Sequence, residues 1–408
     1  MRVSAFVLSA VITVLAAAFA LCQAPTAPAP LYRFSSDGAS PNIPVEVIAD
    51  GLVLVQAKVN GHPGWFIVDN GTQGFVIARD YASQISLETT GIAATREVGS
   101  DASQAGIVRD AQISLPGLDL THRHLVVIDL KSLEPAIGHE VDGIIGSRLF
   151  DDFVVVVDYE HRRLAVYSPT QYRPSGKETA LPVRLDAHGF QYIDATITLP
   201  GTAPVTGSFL IDGGANYFAS VYKPFSDAHH LPPSSMKLQS EPGAAQSLDG
   251  RADRIDVGSH SIKNPPITFA QDVEGLMAAK DYAGLIGAEF LERFTVVFDS
   301  PGRRILLTPN QSYEAAAEYD QSGMRIRTEG RDFHRFVVTR IVPQSPAAEA
   351  GIKSGDIITA IDNRAALEME LTLTEIRSML RQPKAHPTLD IMRGEKRLRV
   401  TIPLRPLL

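Results

Sequence analysis

Cysteine is almost missing from this 408-residue chain: Cys22 is the only one. An exported mature form would hold no internal disulfide, no thiolate metal site and no cysteine nucleophile. Metal-binding spacing is missing too. His122/His124 and His229/His230 are short-range pairs without a carboxylate at i+4, and no His-Glu-x-x-His occurs. Gly-x-Ser-x-Gly and phosphate-loop motifs are likewise absent. These gaps leave a function needing no metal and no cofactor. The formal net charge is -8, spread without a basic stripe, which points away from nucleic acid as a partner. After the first 21 residues no apolar run is long enough to cross a bilayer.

What is present begins with a targeting segment. Arg2 gives a positive start, Val3 to Leu21 is apolar, and Ala18-Phe19-Ala20 is an Ala-x-Ala cleavage site, with Cys22-Gln23-Ala24 as a second option. Leu21 stands where lipoprotein processing at Cys22 needs a small residue, which argues against lipidation. The expectation is a signal peptide over 1–24 and a Pro/Ala-rich tether over 25–44. The mature protein is expected in the periplasm or secreted, with no stable membrane insertion after cleavage.

The rest is organised around a repeat. Trp65 to Ile77 reads WFIVDNGTQGFVI, and Ser208 to Ser220 reads SFLIDGGANYFAS. Each runs from apolar residues into Asp-x-Gly and back to apolar residues. Alone, the first would be a β-hairpin with an Asn-Gly turn. The copies continue: Val141 to Tyr167 and Tyr282 to Thr308 share an apolar-Gly pair, a short amphipathic segment, a β-branched strand and an Arg-Arg turn. Asp69 and Asp212 lie 143 positions apart, and Gly146 and Gly287 lie 141 apart. Repetition at nearly one offset marks an internal duplication.

From Val45 to Pro309 the chain resembles the pepsin and retropepsin aspartic proteases, whose signature is apolar-apolar-Asp-x-Gly followed by an apolar-Gly pair before a helix. The resemblance implies a mainly β fold, with two retropepsin-like β-barrel lobes, 45–170 and 177–310, forming a pseudo-dimer. It implies an Asp69/Asp212 dyad at the lobe interface that activates water against a peptide bond. Asn70, Gly71, Thr72, Gly213, Gly214 and Ala215 would support the dyad loops, and Asp142-Gly143-Ile144-Ile145-Gly146 and its copy would lie beside them. Asp142, Asp158 and Asp299 read as turn or solvent carboxylates. Family order would make Gly99 to Gly106 a flap tip, with Ser240 to Gly250 as its counterpart; by composition alone the stretch reads equally as an ordinary exposed loop.

The chain departs from the family at one place in each half. Asn70 and Gly213 occupy positions where the family has Thr or Ser, whose hydroxyl grips the opposite loop. The expectation is a weakened grip. Two readings stay open: an aspartic endopeptidase, and a peptide-binding protein with a degenerate dyad.

The C-terminal stretch is a different module. Phe336 to Asn363 reads FVVTRIVPQSPAAEAGIKSGDIITAIDN and closely resembles a PDZ domain, of the arrangement attached to bacterial exported proteases. Ser345-Pro346-Ala347 starts a helix, Gly351 caps it, and Leu373, Ile376 and Leu380 mark a second, amphipathic one. The domain is expected over 323–408, after a polar linker with helical character at Asn310 to Asp320. The resemblance implies binding of protein C-termini, with Gly330, Phe333, Phe336 and Val338 as candidate peptide contacts.

Overall fold

The computed structural model describes residues 31–48, 50–95, 103–122, 124–240, 247–272, 276–366 and 371–408. The targeting segment, the first residues of the tether, and the tips of both expected flap hairpins (96–102 and 241–246) lie outside the described residues.

The protein is mainly β, with two β lobes followed by a small C-terminal domain. Structure begins earlier than the sequence suggested. Residues 31–44, expected as tether, contain β1 (Leu31–Phe34) and about half of β2 (Ala39–Ile48). Main-chain pairing holds them: β1 pairs with residues 118–121, and the first half of β2 pairs with residues 163–167, while its second half pairs with β3 (Leu52–Val59). Composition reads such a segment as linker because backbone ladders leave no mark on it.

In lobe 1 the chain runs through β4 (His62–Val68), the Asp69 loop and β5 (Phe75–Ala78). A later strand, β6 (Gly143–Ile145), inserts between them, parallel to β4 and antiparallel to β5. All three are largely apolar, as a strand buried on both faces requires. Helix α1 (Glu134–Ile137) precedes β6. Helix α2 (Ser147–Asp152), β7 (Val154–Asp158) and β8 (Arg163–Tyr167) follow it.

Lobe 2 repeats the plan. After β9 (Thr179–Pro182) and β10 (Gln191–Thr198), β11 (Val205–Ile211) leads into the Asp212 loop and β12 (Ala219–Val221). β13 (Gly284–Ile286) inserts between β11 and β12 in the same two senses. Helix α3 (Ala288–Leu291), β14 (Phe294–Asp299) and β15 (Arg304–Pro309) follow.

The lobes are joined by a ladder. β7 pairs with β14 antiparallel, from Val154↔Asp299 to Asp158↔Thr295. The resulting interlobe sheet runs β9-β15-β14-β7-β8-β2. The Asp50-Gly51 turn of lobe 1 packs on Ala288 of α3, and Gly189 of lobe 2 faces Asp151 of α2. These reciprocal contacts display a pseudo-two-fold axis. The main apolar cluster runs through both lobes, with two smaller ones beside it.

The linker at 310–320 is a pinned turn, without a helix. The Arg293 guanidinium donates to the carbonyls of Ser312, Tyr313, Ala315 and Ala316. A buried cation that consumes these backbone acceptors competes with an i→i−4 ladder.

The C-terminal domain has its own core, built from residues including Phe336, Val338, Ile358, Leu373, Ile376 and Leu389. Its sheet runs β16 (Met324–Glu329), β17 (Arg335–Ile341), β18 (Ile357–Ile361), β19 (Thr388–Arg393), β20 (Lys396–Thr401). Helix α4 (Pro346–Glu349) is capped by the Ser345 side chain, and α5 (Leu373–Leu380) carries a full capping box from Thr372 and Glu375.

Candidate active site

The two Asp loops meet at the lobe interface. Asp69 is 2% exposed and Asp212 is fully buried. Their carboxyls are in hydrogen-bonding contact. A Cβ added at Gly71 would lie 2.6 Å from Asp212 Oδ1, and one at Gly214 would overlap the Asp69 carboxyl. Each loop's glycine is therefore the surface on which the opposite acid rests. Gly146 and Gly287 give the same close approach a layer farther out, where a Cβ would strike the backbone of the Thr72–Gly74 and Ala215–Tyr217 turns.

The loops hold their acids unequally. Gly71 N donates to Asp69 Oδ1 at 2.7 Å, and Thr72 Oγ1 donates to Asp69 Oδ2 at 2.6 Å. Gly214 N donates to Asp212 Oδ1 at 2.9 Å, but Ala215 stands where Thr72 would be and has no hydroxyl. Among the described residues Asp212 Oδ2 has no hydrogen-bond donor. Burial raises the Asp69 pKa, with the Thr72 and Gly71 hydrogen bonds working against it. Burial raises Asp212 well above the usual carboxylate range, and the adjacent Asp69 charge adds to it. The arrangement favours the charge on Asp69 and the proton on Asp212.

Asn70 overturns the expectation of a weakened grip. Its Nδ2 donates to Ile211 O at 2.6 Å, and its Oδ1 accepts from Gly213 N at 2.8 Å. One amide thus makes a donor and an acceptor bond to the opposite loop, work a single hydroxyl would otherwise perform from each side. Gly213 contributes its backbone N–H and room: a Cβ there would sit 3.3 Å from Asn70 Oδ1.

Asp142, read as a turn or solvent carboxylate, is buried and accepts the Trp65 N–H at 2.8 Å, which ties β4 to β6 below the dyad. Burial pushes its carboxyl up to about 6. Asp299 ties the β14–β15 turn through Gly302 N and Arg304 Nε.

Two family models match the chain: one described as an aspartyl protease over residues 55–149, and one described as a PDZ domain over 337–393. The chain carries an aspartyl protease domain and a C-terminal PDZ domain. No curated protein matches it. The protease match falls within lobe 1; the Asp212 loop joins it through the repeated strand order and the shared carboxyl contact.

In the PDZ domain the four candidate peptide contacts lie away from any free strand edge. Phe336 and Val338 are fully buried in its core on β17, which is paired on both sides. Gly330 and Phe333 belong to the β16–β17 turn, both with positive φ. The outer strands of the domain's main ladder are β16 and β20, and α5 packs beside β16. Apolar alternation in β17 reads alike for a core strand and a ligand strand, which is why the sequence offered Phe336 and Val338 as peptide contacts.

Proposed function

We propose that this protein is an aspartic endopeptidase whose Asp69/Asp212 pair hydrolyses peptide bonds. The observation that carries this reading is the buried contact of two carboxyls from repeated loops, with unequal donor sets. In the reaction a water lies between the carboxyls. Asp69, ionised and held by Thr72 and Gly71, removes a proton as the water oxygen bonds to the peptide carbonyl carbon. Asp212 gives its proton to the carbonyl oxygen, forming a neutral tetrahedral diol. Asp69 then passes its proton to the leaving nitrogen, the C–N bond breaks, and one diol hydroxyl returns its proton to Asp212.

Export belongs to the proposal, supported by the apolar run from Val3 to Leu21 and the Ala-x-Ala site. A PDZ domain binds peptides or proteins, and here we assign it peptide C-termini. A second reading, peptide holding without turnover, is favoured by one observation: the carboxyls are almost wholly shielded from bulk water.

The test is cleavage of a mixed peptide pool from pH 4 to 7 by wild type and Asp69→Asn, with a pepstatin-like inhibitor as control. Cleavage that the inhibitor and the substitution both abolish supports the endopeptidase. Pool binding without cleavage at any pH establishes the second reading instead.

A further inference from the structure

An extended peptide joining a PDZ sheet needs a free strand edge and, at its C-terminus, backbone N–H groups for the carboxylate. Here the edge is β16, beside α5. A strand added antiparallel to β16 would end next to Met324, at the turn of Ser322 and Gly323. Both halves of this site are taken up by the chain itself.

Helix α1 of lobe 1 packs along β16. Thr328 Oγ1 donates to Pro135 O at 3.2 Å. Arg377 of α5 donates to Ala136 O at 2.7 Å and reaches Ile326 O at 3.4 Å, tying lobe 1, α5 and β16 together. Gly138, at the end of α1, abuts Leu373 so closely that an added Cβ would lie 2.9 Å from Leu373 Cβ. At the other end, Asp320 fills the turn: Ser322 N, Ser322 Oγ and Gly323 N all donate to its carboxylate, at 3.1, 2.6 and 2.8 Å.

We propose that the β16/α5 groove has lobe-1 residues 133–138 as its resident occupant, with the Asp320 carboxylate in the nest, and that an incoming peptide with a free C-terminal carboxylate binds only by displacing them. The groove is thus an intramolecular interface first and a receptor second. This rests on the peptide-binding role of the PDZ domain and not on catalysis by the dyad. The α1 segment precedes β6, the strand inserted beside the Asp69 loop, so displacing it would pull on the support of that loop.

The test uses the full chain in an Asp69→Asn background, so that cleavage cannot consume the probe. The pair Gly138→Cys and Leu373→Cys places two thiols near disulfide range. Mild oxidation should cross-link most of the protein; failure to cross-link overturns the resident-occupant assignment. The probe is a pool of decapeptides randomised at the last four positions, either with a free carboxylate or amidated. The variant Gly138→Leu with Asp320→Ala should capture at least tenfold more of the free-carboxylate pool than the unopened chain, and the amidated pool should not distinguish them. Arg377→Gln, which adds no bulk, should move capture in the same direction while keeping the native melting transition. Equal capture by opened and unopened chains, whether high or absent, overturns the proposal.

Discussion

The Asp69 and Asp212 loops share one pattern yet do different work. The first carries an amide and a hydroxyl, Asn70 and Thr72; the second is bare at both positions, Gly213 and Ala215. Asn70 supplies the side-chain bonds of the cross-loop grip for both loops, and Thr72 stabilises charge on one acid only. Duplication supplied a symmetric frame, and two side chains present in one loop alone, Asn70 and Thr72, make it directional. Two identical loops would give two acids of equal basicity. Unequal loops favour the charge on Asp69 and the proton on Asp212.

The strongest way to break this comparison is to remove the acids themselves. Asp69→Asn and Asp212→Asn should each lower turnover by roughly 10³-fold, within the range for a positioned acid or base. Activity measured on the peptide pool above checks it, and an active Asp212→Asn would mean that the second loop is only scaffolding.

The grip comes next. Asn70→Ala strands the Gly213 N–H and the Ile211 C=O in a buried place, so it should destabilise the protein by about 2–4 kcal/mol. Gly213→Ala adds a methyl 3.3 Å from Asn70 Oδ1 and removes no donor, so its cost should be about 1 kcal/mol. Urea titrations compare them; equal costs would refute the one-sided grip.

Charge placement is subtler. Thr72→Ala removes a hydrogen bond that lowers the Asp69 pKa, so the acidic limb of the pH–rate profile should move up by about one unit. Ala215→Thr should narrow the difference between the acids from the other side. An unmoved limb in Thr72→Ala would place the working charge elsewhere.

The smallest effect belongs to the junction with the PDZ domain, where Arg381 pairs with Asp50 at 2.7 Å and Glu289 at 3.3 Å. Burial pushes Glu289 up to about 8 and Glu292 up to about 7, despite the attraction of Arg381. A carboxyl whose folded pKa is raised binds more protons folded than unfolded. Stability from this pair is therefore present at low pH and is lost as pH climbs from about 4.5 through 7 to 8. Melting temperature should fall by a few degrees across that window, and Glu292→Gln should flatten the slope. A melt that rises over the same window would reverse the sign assigned to the junction.

Asp-x-Gly, the apolar-Gly pairs and the Ser-Pro-Ala helix start were all legible because they are local. Each needs only a turn, a close approach or a cap. The role of Asn70 was not legible, since its partners Ile211 and Gly213 lie 141 and 143 positions away and are backbone atoms. Arg377 and Arg381 were equally silent. Nothing in the helix pattern names their partners, and only docking against the lobes supplies them.

By itself the sequence determined a duplicated pair of acid-bearing turns and a separate C-terminal module, because periodicity and glycine placement are written residue by residue. Only the tertiary structure decided which acid is better hydrogen-bonded, how one amide spans both loops, and that a lobe-1 helix lies along β16. Those depend on distances between backbone atoms far apart in the chain. Such distances follow from how the interlobe ladder and the two cores bring distant segments together.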